Sequence, residues 1–129
     1  LKIRHVIVCG HYGCGGVRAA YQDERMGLVD NWLRHVQDVA QKHRVVLESA
    51  GSVDDQVNRL CELNVLEQVA NVCQTTVIQD AWVRGQDVTV HVWIYDLADG
   101  LIWDLKVNSS SAAEFQRVYR SAENVYIRR

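Results

Sequence analysis

Residues 9–16 read Cys-Gly-His-Tyr-Gly-Cys-Gly-Gly, which gathers an imidazole and two thiols with four glycines. His11-x-x-Cys14 spans one tight turn, so its imidazole and thiolate can converge on a single metal ion at about 2.0 to 2.3 Å. Two such ligands are half a site. The same stretch allows two other readings. A glycine-rich loop ahead of a helix presents backbone amides to an anion, although the GxGxxG spacing and the lysine followed by Ser or Thr of a phosphate loop are both absent. It also reads as a turn whose glycines relieve strain, with Cys14 packed as a small hydrophobe and His11 hydrogen-bonded.

The surrounding elements decide how such a loop is held. His5-Val6-Ile7-Val8-Cys9 is short, β-branched and almost continuously apolar, the pattern of a central parallel strand buried on both faces. Gly10 to Gly16 turn the chain into a helix that begins near Val17. Trp32, Leu33, Val36, Val39 and Ala40 recur at helical spacing. Ser52 followed by Asp55 reads as a helix cap, and apolar residues from Val57 to Cys73 predict a long helix that runs on to Trp82 with a break and ends at Gly85. Val88 to Tyr95 and Leu101 to Leu105, joined through Ala98-Asp99-Gly100, predict a hairpin. A last helix carries Phe115, Val118, Tyr119 and Ala122 on one face. The class is α/β: a mainly parallel sheet flanked by helices, ending in a hairpin.

Composition sets the chemical setting. A 129-residue chain forms one domain or part of one, and a compact fold of that size buries about two-thirds of its unfolded surface. A net charge of −2 with scattered basic residues points to neither nucleic acid nor an anionic membrane as partner. No run of about 18 apolar residues is present to span a bilayer, and the opening residues lack the cleavage site of a signal peptide. Four cysteines, at 9, 14, 61 and 73, are too unevenly placed for a disulfide framework, which predicts reduced thiols in a cytoplasmic or organellar compartment. Cys61 and Cys73 read as core, and Cys9 as a buried structural cysteine rather than a substitute ligand. His91 reads as a hydrogen-bonded sheet histidine, whereas His5, His35 and His43 lie beside charged residues and read as solvated. The four tryptophans read as core or subunit interface.

Gly10-His11-Tyr12-Gly13-Cys14-Gly15-Gly16 after an apolar strand resembles the zinc-binding GHxxCGG motif of the β-class carbonic anhydrases. The resemblance continues through Leu28 to Leu33, Asn64 to Asn71, Ala81 to Gly85 and His91 to Gly100, at spacings like those of bacterial members. It implies a Zn2+ enzyme for the reversible hydration of carbon dioxide to bicarbonate and a proton. His11 and Cys14 would be two of the metal's ligands, and Gly15 would offer its backbone amide to the substrate or bicarbonate. Tyr95 matches a tyrosine that helps hold an inhibitory bicarbonate in one bacterial subclass. The family also implies a homo-oligomer, a dimer or tetramer. One departure is plain: the CxDxR segment that supplies the family's first zinc cysteine and its aspartate–arginine pair does not occur in this sequence. The expectation is therefore a single partial domain over residues 1–129, matching the carboxy-terminal part of the family with the amino-terminal part missing, and its catalytic residues are unknown. The competing class is a non-catalytic module that keeps the fold for oligomerisation or anion binding.

Overall fold

The computed structural model describes residues 2–128; Leu1, Arg129 and the side chains from residue 121 on, Ala122 among them, lie outside the description. Strand β1 (His5–His11) leads into helix α1 (Gly15–Tyr21), followed by α2 (Asp30–Lys42), α3 (Arg44–Glu48), the long α4 (Val53–Cys73) and α5 (Thr76–Val83). Strands β2 (Thr89–Asp96) and β3 (Leu101–Asp104) then form the hairpin, and α6 (Ala112–Arg128) closes the chain.

The helix boundaries follow local chemistry. The Ser52 side chain accepts the Asp55 N–H while the Asp55 carboxylate accepts the Ser52 N–H, a reciprocal capping box that fixes the start of α4. The anticipated break falls at Gln74 and Thr75, where the Thr75 hydroxyl accepts the Ile78 N–H and restarts the chain as α5. Between β2 and β3 the turn closes with the Gly100 N–H on the Asp96 carbonyl at 2.8 Å, and Gly100 takes a φ of 72° that favours glycine.

β1 and β2 run parallel, with His5 opposite Thr89 and His11 opposite Tyr95; β2 and β3 run antiparallel, with Trp93 opposite Asp104. Among the described residues the strand order is β1-β2-β3, so the sheet is mixed and its middle strand is β2. Within these described strands β1 therefore lies at the edge. Along β1 the side chains alternate between half-buried and exposed, and Ile7 is 49% exposed. The apolar run gave the strand correctly, but periodicity could not say whether both of its faces are covered.

α4 packs on β1 and β2 and forms the centre of the core. Val57, Leu60, Leu63, Leu66 and Val69 are buried against Val90, Val92 and Ile94 of β2. Each such side chain contributes roughly 1.5 to 3 kcal/mol relative to exposure. One expectation about a polar residue fails here. His43 is buried, with Nε2 3.5 Å from Glu67 Oε1, rather than solvated, because α3 begins beside it and turns it onto α4. Trp32 is 74% exposed and Trp103 52% exposed, which leaves the subunit-interface reading for these two. Trp82 is half-buried and donates its indole N–H to the Val88 carbonyl at 2.9 Å.

Candidate metal centre

The strand runs two residues farther than its apolar pattern, so His11 is the last residue of β1 rather than part of the loop. Gly10 is there for packing, not for turning. A Cβ at position 10 would lie 2.2 Å from Val65 Cγ2 on α4, closer than any real contact. That close approach seats the end of β1 on α4. The turn itself is made at Gly13, whose φ is 65°.

Three hydrogen bonds hold the turn. The Tyr12 N–H reaches the Tyr95 carbonyl at 3.0 Å, the Gly13 N–H reaches Asn58 Oδ1 at 3.1 Å, and the Tyr12 hydroxyl donates to Glu62 Oε1. Asn58 and Glu62 lie one turn apart on α4 and grip the loop from below. Sequence reasoning missed both, because nothing in their spacing distinguishes a loop anchor from the ordinary polar side of a helix.

His11 is exposed, and its Nδ1 lies 3.0 Å from the Tyr12 carbonyl oxygen. A carbonyl only accepts, so in the neutral ring Nδ1 carries the hydrogen and Nε2 keeps its lone pair. Such a bond on one ring nitrogen sets the tautomer that ligates a metal through the other. Cys14, half-buried, is the N-cap of α1 with extended backbone, and it makes no side-chain cap bond. Gly15 opens α1, so its N–H is among those with no acceptor inside the helix, and the space a Cβ would occupy there is open. Tyr95 stands opposite His11 in the register.

The other thiols separate by environment. Cys61 lies beneath the loop, where its sulfur meets the backbone of Cys14, and burial pushes its thiol up to about 11. Burial alone pushes Cys73 up to about 12. Both are core residues, as their helical spacing implied. Cys9 corrects its reading: it is exposed, on the side of the strand that α4 does not cover, with its thiol 3.4 Å from the Gly10 carbonyl.

A zinc ion in a protein takes four ligands, at least three of them from side chains. Among the described residues no group of three or more His, Cys, Asp or Glu side chains is arranged to hold a metal. His11 and Cys14 therefore fit zinc in kind but not in number. A cleft of about 450 Å³ lies beside the loop, lined by Tyr12, Asn58, Arg59, Glu62 and Asp96, but neither His11 nor Cys14 opens onto it.

The family model described as carbonic anhydrase matches residues 1–102. A carbonic anhydrase of Emericella nidulans is 38% identical over 120 residues, covering 92% of this chain and 53% of that protein. One from Synechococcus elongatus is 33% identical, covering 85% of this chain and 41% of that protein. Among solved structures, the Coccomyxa β-carbonic anhydrase in complex with acetazolamide superposes with a TM-score of 0.80 at 33% identity, over 95% of this chain and 60% of that one. A tetrameric β-carbonic anhydrase from Sordaria macrospora gives 0.76 at 31% identity, over 84% of this chain and 55% of that one. The chain thus spans about half the length of the curated relatives it matches. On the family match, the identities and the shared fold, this chain belongs to the β-carbonic anhydrase family.

Proposed function

We propose that this chain is the part of a carbonic anhydrase that supplies two zinc ligands, His11 and Cys14, for the reversible hydration of carbon dioxide to bicarbonate and a proton. The observation that carries the reading is the His11 ring, whose Nδ1 faces the Tyr12 carbonyl so that Nε2 is the nitrogen left to ligate a metal. Zinc, when bound, supplies a nucleophile at neutral pH by lowering the pKa of water from 15.7 to about 7. The chain's own residues do the positioning. β1 seats on α4 through Gly10, the turn is held by Asn58 and Glu62, and the Gly15 N–H at the start of α1 offers a donor to the bicarbonate oxygen. The remaining zinc ligands and an aspartate–arginine pair would come from segments of the whole protein other than these residues.

Tyr95, beside His11 in the sheet, is the chain's candidate for a regulatory bicarbonate contact. The tetrameric Sordaria relative supports a homo-oligomer, a dimer or tetramer. Four free cysteines support a reducing, cytoplasmic setting. A net charge of −2 speaks against nucleic acid and anionic lipid as partners. Among the described residues no helix is long and apolar enough to cross a membrane.

The test is zinc content and stopped-flow carbon dioxide hydration in the whole protein that carries this chain, with His11→Gln and Cys14→Ser variants. One zinc per chain is expected, with each variant losing metal and at least about a hundredfold in rate. Full zinc content in Cys14→Ser would overturn the ligand assignment. A zinc-free, soluble oligomer would place the protein with the non-catalytic modules.

A further inference from the structure

The hydrogen bond that sets the His11 ring and one of those that hold the turn meet on a single peptide group. His11 Nδ1 lies 3.0 Å from the Tyr12 carbonyl oxygen, and the N–H of that same Tyr12–Gly13 peptide donates to Asn58 Oδ1 at 3.1 Å. The imidazole and Asn58 therefore sit at opposite ends of one peptide dipole. The chain is anchored on either side of it. The Tyr12 N–H is fixed to the Tyr95 carbonyl at 3.0 Å, and the Cys14 carbonyl accepts the Arg18 N–H at 3.0 Å as α1 begins. Between these anchors Gly13 has a φ of 65°, and a Cβ built on it would meet nothing within 4 Å. Glycine stands there for its backbone freedom and not for lack of room.

That freedom makes the orientation of the peptide a choice. A peptide plane turns over by opposite rotations of the ψ before it and the φ after it, with little movement of the flanking chain. Type I and type II turns differ by such a flip, and glycine accepts the sign of φ that either requires. In the orientation present, the carbonyl faces His11 and the N–H faces α4. Turned over, the N–H would face Nδ1, and a neutral imidazole accepting there would carry its hydrogen on Nε2, the nitrogen a metal needs bare. We propose that Asn58 is a positioning residue that selects the first orientation. Its side-chain oxygen accepts the Gly13 N–H, keeps the Tyr12 carbonyl on His11 and so holds the ring in the tautomer that ligates through Nε2, a role that rests on His11 being a zinc ligand. The bond at the N–H end also polarises the peptide and makes its carbonyl the better acceptor. Glu62 accepts from the Tyr12 hydroxyl and so holds the side chain, whereas Asn58 holds the peptide itself.

The test is solid-state nitrogen NMR of the whole protein that carries this chain, with its histidines isotope-labelled and its metal removed, at about pH 9, where free imidazole is neutral. His11→Gln assigns the signal. The His11 ring should carry its hydrogen on Nδ1 in the parent and in Asn58→Asp, which keeps an accepting oxygen at the same place, and predominantly on Nε2 in Asn58→Ala. Zinc affinity, measured by competition with a chelator, should fall about 10- to 100-fold in Asn58→Ala and stay within about threefold of the parent in Asn58→Asp. Alanine is the better helix former, so Asn58→Ala should keep α4 intact, and circular dichroism checks that it does. A hydrogen on Nε2 in the parent, a hydrogen still on Nδ1 in Asn58→Ala, or equal losses of affinity in the two variants would each overturn the proposal. Because the ring is read without metal, its tautomer is independent of the Cys14→Ser test of the ligand assignment.

Discussion

Replacing Gly10 by alanine tests how the candidate site is seated. The added methyl would lie 2.2 Å from Val65 Cγ2, which itself belongs to a buried residue 4% exposed, so neither group can turn away into solvent. An ordinary contact between two such carbons is about 3.5 to 4 Å, so roughly 1.5 Å must be found by lifting β1 off α4 or by forcing Val65 off its rotamer. Inserting a methyl into a close-packed core costs typically 1 to 3 kcal/mol, and the size of this overlap places Gly10→Ala at the upper end, about 3 kcal/mol. For a chain of this length that is a drop of roughly 10 °C in Tm. Urea denaturation of Gly10→Ala, Val65→Ala and the double variant gives the coupling directly. Val65→Ala alone should cost about 2 kcal/mol through lost burial and a cavity, yet it removes the atom that the new methyl strikes. The double variant should therefore be more stable than the sum of the two losses predicts by at least about 1 kcal/mol. Additive losses, or a Gly10→Ala chain within about 0.5 kcal/mol of the parent, would refute the claim that close approach to α4 is why position 10 is glycine.

Two further perturbations test the core and the thiols. Glu67 accepts from Lys42 at 2.6 Å and from the Tyr119 hydroxyl at 2.9 Å and lies 3.5 Å from His43, and these partners, His43 foremost, hold its carboxyl down at about 2. Its folded value lies below the ordinary 4.5, so its stabilisation is present above pH 4.5 and is lost as pH falls toward 2. Glu67→Gln should flatten the acid limb of a stability-versus-pH curve by on the order of 2 to 3 kcal/mol, and an unchanged limb would count against the network. Alkylation at pH 8 followed by mass spectrometry should label exposed Cys9 first, while Cys61 and Cys73, buried and raised to about 11 and about 12, react only on unfolding; early labelling of Cys73 would contradict the core as described.

Much of this architecture was legible in the sequence because it rests on local chemistry. The Ser52 capping box, the break before α5 and the β2–β3 hairpin are written in residues a few positions apart, and each forms where that chemistry puts it. What needed the structure depends on distant parts of the chain. His43 looks solvated beside Lys42 and Arg44, and only the packing of α3 on α4 brings it to Glu67. β1 carries the apolar run of a strand covered on both sides, yet within the described residues one side is bare, since coverage is a property of neighbouring elements rather than of the strand. At the site, His11 and Cys14 were visible from their spacing, but Gly10's contact with Val65 and the grip of Asn58 on Gly13 join residues 55 and 45 positions apart. No local pattern encodes them.

The central claim is that His11 and Cys14 form half of a zinc site, and X-ray absorption at the zinc edge during titration of this chain tests it most directly. The account predicts weak binding, with micromolar or poorer affinity, one sulfur near 2.3 Å, one imidazole nitrogen near 2.0 Å and oxygen filling the shell, all lost in Cys14→Ser. Nanomolar affinity with three or more protein ligands, or a bound zinc whose spectrum shows no sulfur, would contradict it.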